Sequence, residues 1–249
     1  MSKANQLAID ALVLRETVYR DSDKMLTLLG ERGKFSALVR GGRTGKSRLR
    51  AGTQLLTYTS FTLFESRGRY TVDGADPIEF FHGIRDDIEC LALASYFAEI
   101  LEALSDEDYP TPGLLQTGLN CLYALSRKKR PPKEIKAAFE LRSAALAGYY
   151  PDLERCAACG HEAVSDPIFD LAGGTVICGG CRKTAEGGVK LTEEALGAMR
   201  HVLRAEPKRL LHFTLQEALE FGRAAEGYLL DKLGHTPASL KFYRSLPDV

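Results

Sequence analysis

The first 80 residues alternate short apolar runs with glycine-containing turns. Runs rich in Leu, Val, Thr, Tyr and Phe occupy residues 7–14, 25–29, 35–39, 54–65 and 70–72. The turn sequences between them include Gly30-Glu31-Arg32-Gly33, Gly41-Gly42 and Ser66-Arg67-Gly68. Runs of this kind between turn signals predict β-strands. Five short strands within about 75 residues favour a small closed barrel over an open sheet.

From residue 84 onward the apolar spacing becomes helical. A stripe at i, i+3, i+4 and i+7 is formed by Leu93, Tyr96, Phe97, Ile100, Leu101 and Leu104, which predicts a helix with one buried face. A second helix is predicted from residue 115 to the proline pair at 131–132, and a third over 133–147, ending at Gly148. Two more are predicted over 192–204 and 214–233. The last is expected to open with a capping box at Thr214 and to close at Gly234.

These patterns predict an α+β chain, with an N-terminal β-barrel, an all-α helical domain and a cysteine-rich insert. The predicted barrel spans residues 1–80. The helical domain spans residues 81–149 and 189–249, and the insert, rich in Gly and Cys without helical periodicity, spans 150–188.

Composition excludes some classes of protein and leaves others. The chain has 249 residues, of which 45% are apolar and 27% charged, typical of a folded globular protein and not of a disordered one. No apolar run approaches the roughly 20 residues of a transmembrane helix, and the first residues lack the apolar core of a signal peptide. A cytoplasmic protein is therefore expected.

The charge is unevenly distributed although it sums to zero, with 33 Lys and Arg against 33 Asp and Glu. Residues 1–50 hold eleven Lys and Arg and five acids, a surplus of six positive charges that the rest of the chain offsets. A basic N-terminal module on an acidic body is a common layout for a nucleic-acid-binding protein.

Four of the six cysteines form two Cys-x-x-Cys pairs, Cys156-x2-Cys159 and Cys178-x2-Cys181, separated by 18 residues. This spacing predicts a tetrahedral zinc site with four thiolate ligands, and such a closed site is structural. Metal-free surface cysteines or a redox pair are the alternatives. His161 is a possible substitute ligand but is better explained as a solvated loop residue. The remaining two, Cys90 and Cys121, are predicted to be core residues.

The segment 40–50 carries five cations and no acid, namely Arg40, Arg43, Lys46, Arg48 and Arg50. Within it Gly45-Lys46-Ser47 resembles part of a P-loop. However, the glycine which that motif requires five residues earlier is replaced by Arg40, and strand-like sequence follows where a helix is needed. A glycine-hinged loop that follows a phosphate backbone is the better interpretation.

Aromatic residues on the neighbouring strands could stack on unpaired bases. For each of the candidates, Tyr58, Phe61 and Tyr70, an ordinary core role is favoured. No arrangement of nucleophile, base and metal ligands typical of an enzyme is found among the five histidines and the acidic residues, so the chain is expected not to be an enzyme.

Three stretches resemble the bacterial DNA repair protein RecO family, and the likeness extends over nearly the whole chain. The first runs from Ala11-Leu12-Val13-Leu14-Arg15 to Gly33-Lys34, and the second is Val39-Arg40-Gly41-Gly42-Arg43 followed by Lys46-Ser47. The third and most specific runs from Phe139-Glu140-Leu141 through Gly148-Tyr149-Tyr150-Pro151 to Cys156-x-x-Cys159-Gly160.

The resemblance implies an oligonucleotide-binding (OB) fold, a helical domain and a four-cysteine zinc finger holding one structural Zn²⁺. It also implies a non-enzymatic mediator of DNA repair and recombination in the RecF pathway, acting at the bacterial nucleoid. Such proteins bind single- and double-stranded DNA and anneal complementary strands. With RecR they help load the RecA recombinase onto strands coated by single-strand-binding protein. The DNA contacts implied here are Lys34, Arg40, Arg43, Lys46, Arg48 and Arg50, and the zinc ligands are Cys156, Cys159, Cys178 and Cys181.

Two other classes of function stay open at this point. A zinc-ribbon scaffold that binds only proteins would leave the basic loop merely solvated. A P-loop-like phosphotransfer enzyme would bind nucleotide through Lys46. The acidic helical body is where a protein partner is expected to dock.

Overall fold

The computed structural model describes residues 5–45, 47–107, 109–162, 164–184 and 187–247. Its N-terminal part contains five strands, β1 (Asn5–Val18), β2 (Lys24–Gly30), β3 (Gly33–Val39), β4 (Tyr58–Ser66) and β5 (Arg69–Glu79). They close into a barrel in the order β1-β2-β3-β5-β4. The predicted five-stranded barrel is confirmed, and its strand order is that of an OB fold.

Strand β1 is longer than the sequence pattern predicts because it belongs to two sides of the barrel. Residues 5–12 pair with β4, and residues 11–18 pair with β2. The register shifts between Val13 and Arg15, and such a bulge bends a strand and increases its twist. One bent strand therefore closes the barrel.

Strand β4 begins later than predicted. The prediction of strand from residue 54 is wrong for residues 54–57, which form a turn in which the Thr57 amide donates to the Gln54 carbonyl (3.2 Å). Leu56 has a φ of 61°, in the left-handed region that a strand does not use.

The helical body contains seven helices among the described residues. They are α1 (His82–Arg85), α2 (Ile88–Ala103), α3 (Leu114–Ser126), α4 (Pro132–Leu146), α5 (Glu193–Arg204), α6 (Leu219–Leu233) and α7 (Ala238–Arg244). The sequence predicts α2 to α6, but α3 ends at Ser126, before the predicted proline pair, and α6 begins five residues after the predicted start. It misses α7, whose seven residues bury only Leu240 and Tyr243. Within the part of the chain that the structure describes, no helix combines the length and the apolar character needed to cross a bilayer.

The predicted capping box at Thr214 is wrong. Helix α6 begins at Leu219, and the residue before it, Ala218, offers no side-chain cap. The preceding backbone is used in tertiary contacts instead: the Phe213 carbonyl accepts from Arg130 (2.7 Å), and the Gln216 amide donates to Glu194 (3.3 Å). By contrast Thr192 does cap α5, since its hydroxyl accepts from the Ala195 amide (3.1 Å).

The cysteine-rich segment folds into a small sheet. Its strands are β6 (Asp152–Cys156), β7 (Ile168–Asp170), β8 (Thr175–Ile177) and β9 (Val189–Lys190), in the order β6-β8-β7-β9, with a 3-10 turn at Gly179–Thr184. Leu153, Phe169 and Val176 are fully buried and join the core of the helical body. The segment is thus packed onto the body by apolar contacts.

The molecule has two apolar cores, and the boundary between them does not coincide with the end of the barrel. One core fills the barrel. Four barrel residues lie in the other core, that of the body: Leu12, Leu14, Leu29 and Leu56. Cys90 and Cys121 are buried in the body core, as predicted. The domain boundaries at residues 80, 149 and 188 stay a prediction.

One carboxylate of α2 accepts three hydrogen bonds from the start of α7. Glu99 accepts from the backbone amides of Ala238 (3.1 Å) and Ser239 (2.9 Å) and from the Ser239 hydroxyl. Burial opposes ionisation of Glu99, but these hydrogen bonds outweigh it and lower the pKa of the carboxyl. The contact therefore contributes stability above the unfolded pKa of about 4.3 and loses it as pH falls through the lower folded value.

We expect Glu99→Gln to reduce the free energy of unfolding near neutral pH by about 1–3 kcal/mol, because two helix-end amides lose a charged acceptor. Urea unfolding near neutral pH and at pH of about 3 measures this, and the difference from the unmodified chain should shrink at the lower pH. Glu102→Gln, which affects a partly exposed ion pair with Arg15, is the matched control and should cost less than about 1 kcal/mol. A pH-independent effect at Glu99 would contradict the assignment.

Candidate nucleic-acid interface and metal centre

The start of the basic loop, residues 40–50, is held by the turn between β1 and β2. The Gly41 amide donates to the Asp23 carboxylate (2.8 Å), and the Arg43 amide donates to the Ser22 carbonyl (3.0 Å). The Arg43 guanidinium also donates to the Asp21 carbonyl (2.9 Å). Gly41 has a φ of 62°, which glycine adopts without strain. The chain therefore leaves β3 in a defined direction.

The segment that follows the loop is held by a buried cation. Lys24 is only 5% exposed, and its Nζ donates to the Thr53 carbonyl (2.6 Å) and to Glu16 Oε2 (2.7 Å). The other oxygen of Glu16 accepts from the Leu55 amide (2.6 Å). This arrangement gives the buried charge both an opposite charge and a further acceptor, which is what burial of a cation requires.

The predicted DNA contacts fall into three groups. Arg40, Arg43, Arg48 and Arg50 are exposed; Arg48 also donates to the Asp73 carbonyl (3.2 Å). Lys46 lies outside the described residues. Lys34 is half-buried, and its Nζ donates to the Glu102 carbonyl near the end of α2 (2.8 Å). The structure therefore places four arginines of the basic loop at the surface and gives Lys34 an intramolecular partner.

Two grooves on the barrel meet at Arg40. The larger, of about 1060 Å³, crosses strands β2, β3 and β5, and the smaller, of about 640 Å³, lies beside the basic loop. Arg40, Ser66 and Thr71 line both. In OB folds the face of the second and third strands and the loops around it bind oligonucleotides, so the grooves occupy the surface expected for this role.

The larger groove contains cations and an aromatic residue that the sequence analysis does not single out. Arg20, Arg67 and Arg69 line it, together with the half-exposed Tyr19. The arginines lie in or beside the turns before β2 and β5, where the sequence pattern indicates only turns. The sequence signal for these groove residues is an arginine in a turn beside a predicted barrel strand. This signal identifies a groove residue only when β5 is known to lie beside β3.

The three aromatic candidates lie in different environments. Phe61 is 1% exposed in the barrel core, and Tyr58 packs against the body core. Tyr70 lines the larger groove and lies edge-on to Phe35, with ring centroids 5.5 Å apart. A core role is confirmed for Phe61, and of the three only Tyr70 lies in a groove among the described residues.

The P-loop interpretation requires a helix after Gly45-Lys46-Ser47. Residues 47–57 instead form turns and lead directly into β4. No helix N-terminus is therefore available to a phosphate at this segment of the described chain.

The cysteine pairs meet because β6 and β8 are neighbours. Cys156 ends β6 and pairs with Val176 of β8, and Cys178 directly follows β8. All four Sγ atoms lie within 4.8 Å of one another, and those of Cys159 and Cys178 are 3.8 Å apart. Tetrahedral zinc with Zn–S bonds of about 2.3 Å requires sulfur separations of about 3.8 Å. The four cysteines could therefore hold a metal ion.

Backbone amides favour the thiolate form of Cys156. The Cys178 amide donates to Cys156 Sγ (3.3 Å). Burial raises the pKa of Cys156, but amide hydrogen bonds from Cys178, Cys159 and Ala158 outweigh it and lower the pKa to about 6. The thiolate is the form that binds metal. His161 Nδ1 lies 3.8 Å from Cys159 Sγ, outside the group of four sulfurs.

Comparison with known proteins identifies the family. A family model described as "Recombination protein O N terminal" matches residues 1–81, and one described as "Recombination protein O C terminal" matches residues 85–241. The chain belongs to the RecO family. The family resemblance predicted from the three sequence stretches is confirmed, and the RecO N-terminal match covers the barrel that carries the basic loop and the grooves.

Relatives named "DNA repair protein RecO" align over most of the chain. That of Acetivibrio thermocellus is 33% identical over 245 residues, covering 97% of this chain and 98% of the relative. The relative from Symbiobacterium thermophilum is 30% identical over 244 residues, which cover 96% of this chain and 96% of the relative. That of Heliobacterium modesticaldum is 35% identical over 212 residues, 80% of this chain and 74% of the relative.

In this RecO-family chain we expect Lys24→Met to loosen the basic loop and to lower the free energy of unfolding by about 1–3 kcal/mol. The effect is smaller than for a fully buried pair because Glu16 is partly exposed. Limited trypsin digestion should cut faster after Arg48 or Arg50, and urea unfolding gives the change in stability. Arg15→Met, which removes the partly exposed pair with Glu102, is the control. Equal digestion rates in the two variants would contradict the anchoring role of Lys24.

Proposed function

We propose that this protein is a DNA repair and recombination mediator that binds single- and double-stranded DNA on its barrel. In this proposal it anneals complementary strands and, with RecR, helps load the RecA recombinase onto single strands coated by single-strand-binding protein. It acts in the cytoplasm at the nucleoid and without a covalent step. The observation that carries the proposal is the group of four exposed loop arginines beside an arginine-lined groove in a RecO-family barrel.

The proposed binding is mainly electrostatic. Arg40, Arg48 and Arg50 contact phosphates, and each contact releases counterions, which gives affinity without sequence preference and with strong salt dependence. Arg43 has a second task, since its guanidinium holds the β1–β2 turn. Tyr19 and Tyr70 offer ring faces or edges to unpaired bases along the larger groove. Lys46 stays in the proposed set on the resemblance alone, and Lys34 stays a prediction.

Strand annealing follows from the same charges. Two complementary strands repel each other through their phosphates, and a cationic surface that holds them lowers this repulsion. Pairing then becomes faster without any catalytic group.

We further propose that the metal is a single structural Zn²⁺ bound by Cys156, Cys159, Cys178 and Cys181. Bound zinc supplies folding energy by joining ligands that are distant in sequence. The chain prepares the site by pairing β6 with β8 and by directing backbone amides at Cys156. With four protein ligands no position is left for a substrate.

Two rival functions predict different behaviour. A protein-only scaffold predicts no DNA binding even at low salt, and a phosphotransfer enzyme predicts nucleotide binding that depends on Lys46. The turns after Ser47 argue against the phosphotransfer enzyme. The arginine-lined groove beside the loop, in a barrel matched by the RecO N-terminal model, favours the DNA-binding mediator over the scaffold.

We expect the triple substitution R40A/R48A/R50A to weaken binding of a fluorescently labelled single-stranded oligonucleotide by at least about tenfold at about 50 mM salt. It should also reduce the slope of log K against log salt by about 2, since each phosphate contact contributes about 0.7 for single strands. Fluorescence anisotropy over a salt titration measures both quantities.

The matched control is R223A/K241A/K190A, which removes the same charge from exposed positions on α6, α7 and β9. Its slope should stay unchanged. No binding by the unmodified chain at about 20 mM salt would refute the proposal, unless RecR added to the same titration restores binding. Equal losses in both triple variants would show that only net charge matters.

Zinc analysis gives a separate prediction. We expect about one zinc per purified chain and its loss from the Cys156→Ser and Cys181→Ser variants. Inductively coupled plasma mass spectrometry measures the metal content, and Cys121→Ser, at a buried cysteine outside the cluster, is the control that should keep it. A zinc-free unmodified chain, or full zinc retention by both variants, would refute the assignment.

A further inference from the structure

The helical body carries a basic sequence of its own. Residues 127–133 read Arg-Lys-Lys-Arg-Pro-Pro-Lys, five cations in seven residues with no acid. This run lies in the part of the chain after residue 50, which has six more acids than cations. It joins α3 to α4, so a concentrated positive charge interrupts an otherwise acidic body.

Two of the five cations have structural partners. Arg130 donates to Glu134 (2.6 Å) and to the Phe213 carbonyl (2.7 Å), and its side chain is mostly buried. Lys128 pairs with Asp87 (3.0 Å). These contacts fix the connection between α3 and α4, so the neighbouring cations are displayed from a defined backbone.

The other three, Arg127, Lys129 and Lys133, are exposed. Within the described residues none of them has a carboxylate within 4 Å. Arg127 and Lys129 lie near the ring of the exposed Tyr123, at 5.5 and 4.6 Å from its centroid. The ring holds the two cations at the surface without neutralising them.

A second segment adds to this surface. The Asn120 side chain, one helical turn before Tyr123, donates to the Pro207 carbonyl (2.8 Å). This contact brings the 3-10 turn Pro207–Arg209 against α3, and Lys208 and Arg209 on it are exposed. We define the body strip as Tyr123, Arg127, Lys129, Lys133, Lys208 and Arg209.

We propose that the body strip is a second nucleic-acid-binding surface, which contacts the phosphates of a second strand while the barrel holds the first. The inference rests on the proposed function, and it supplies what annealing by one chain requires, namely two strands held at once. Exposed cations on the α3–α4 connection and on the 3-10 turn suit a polyanion with regularly spaced charges. Tyr123 is the one large apolar side chain of the strip, so a protein partner would find few of the buried anchors that dominate protein–protein binding.

The strip and the barrel are linked through short contacts at α1. Gly83 packs so closely on the end of α3 that a Cβ there would lie 2.1 Å from the Ser126 carbonyl oxygen. Two residues later Arg85 donates to the Leu55 carbonyl of the barrel (3.0 Å). The two cationic surfaces therefore belong to one continuous framework, and a strand on each would keep a fixed relation to the other.

The test is a strand-capture assay with the full chain. A single-stranded oligonucleotide is immobilised and saturated with protein, and retention of a labelled, non-complementary oligonucleotide is then measured across a salt series. The variant R127A/K129A/K133A should lose at least about tenfold in capture of the second strand, while its anisotropy-measured affinity for the first changes less than about twofold. The control R223A/K241A/K190A should retain both.

Each outcome decides the proposal. Failure of the unmodified chain to bind the first oligonucleotide, both alone and with RecR added, refutes the proposed function itself. Binding of the first strand without capture of the second, or capture that survives the strip substitutions, overturns only the second surface; the latter result would mean that two barrels of separate chains bridge the strands. Equal loss of capture in the control variant would also overturn it. So would binding of a deca-glutamate peptide to the strip of a chain that does not capture the second oligonucleotide.

Discussion

The ammonium of Lys24 lies inside the barrel wall, between the carboxylate of Glu16 and the carbonyl of Thr53. A buried cation without such partners would be strongly unfavourable, so the contact determines where the chain returns to the barrel after residue 50. At the other end of the loop Asp23 holds the Gly41 amide. With both ends fixed, the arginines between them remain on the surface beside the grooves. Lys24 is therefore a buried cation whose contacts help to position the exposed arginines of the basic loop.

Much of the barrel could be predicted because turn signals separate its strands, although β1 and β5 extend well beyond the predicted runs at 7–14 and 70–72. Two features could not, since they depend on neighbours distant in sequence. The pairing of β1 with both β2 and β4 requires a bend at Val13 that the alternation pattern does not mark. The turn at residues 54–57 has strand-like composition, but Leu56 adopts a left-handed backbone. Tertiary contacts override local preference at both places.

The sequence predicts the chemistry of the candidate site better than it predicts which residues form the site. The spacing of the cysteines predicts the group of four, because ligand type and spacing are local properties. The groove arginines Arg20, Arg67 and Arg69 come from two separate turns and meet only after the barrel closes. Lys34 illustrates the opposite case: it looks like another surface cation in sequence, yet the end of α2 lies beside it and accepts its hydrogen bond. Thr214 likewise matches a capping pattern whose neighbouring backbone groups are used elsewhere.

The cysteine-rich sheet and the helical body share apolar residues, so metal binding and core packing act on the same segment. Phe169 lies edge-on to Tyr228 of α6, with ring centroids 5.4 Å apart, and the Tyr228 hydroxyl donates to the Tyr149 carbonyl (3.2 Å). A Cβ at Gly174 would lie 2.7 Å from that hydroxyl. The sheet is therefore fitted to α6 and also carries the four clustered sulfurs, three of whose cysteines contact the body core.

Four leucines that belong to the barrel by sequence, Leu12, Leu14, Leu29 and Leu56, belong to the body by packing. A fragment cut after the last barrel strand would expose this apolar flank to water, where it would promote self-association. The protein therefore resists dissection into the two parts that its family matches suggest. Evolution of a free-standing barrel from such a chain would first require polar replacements on that flank.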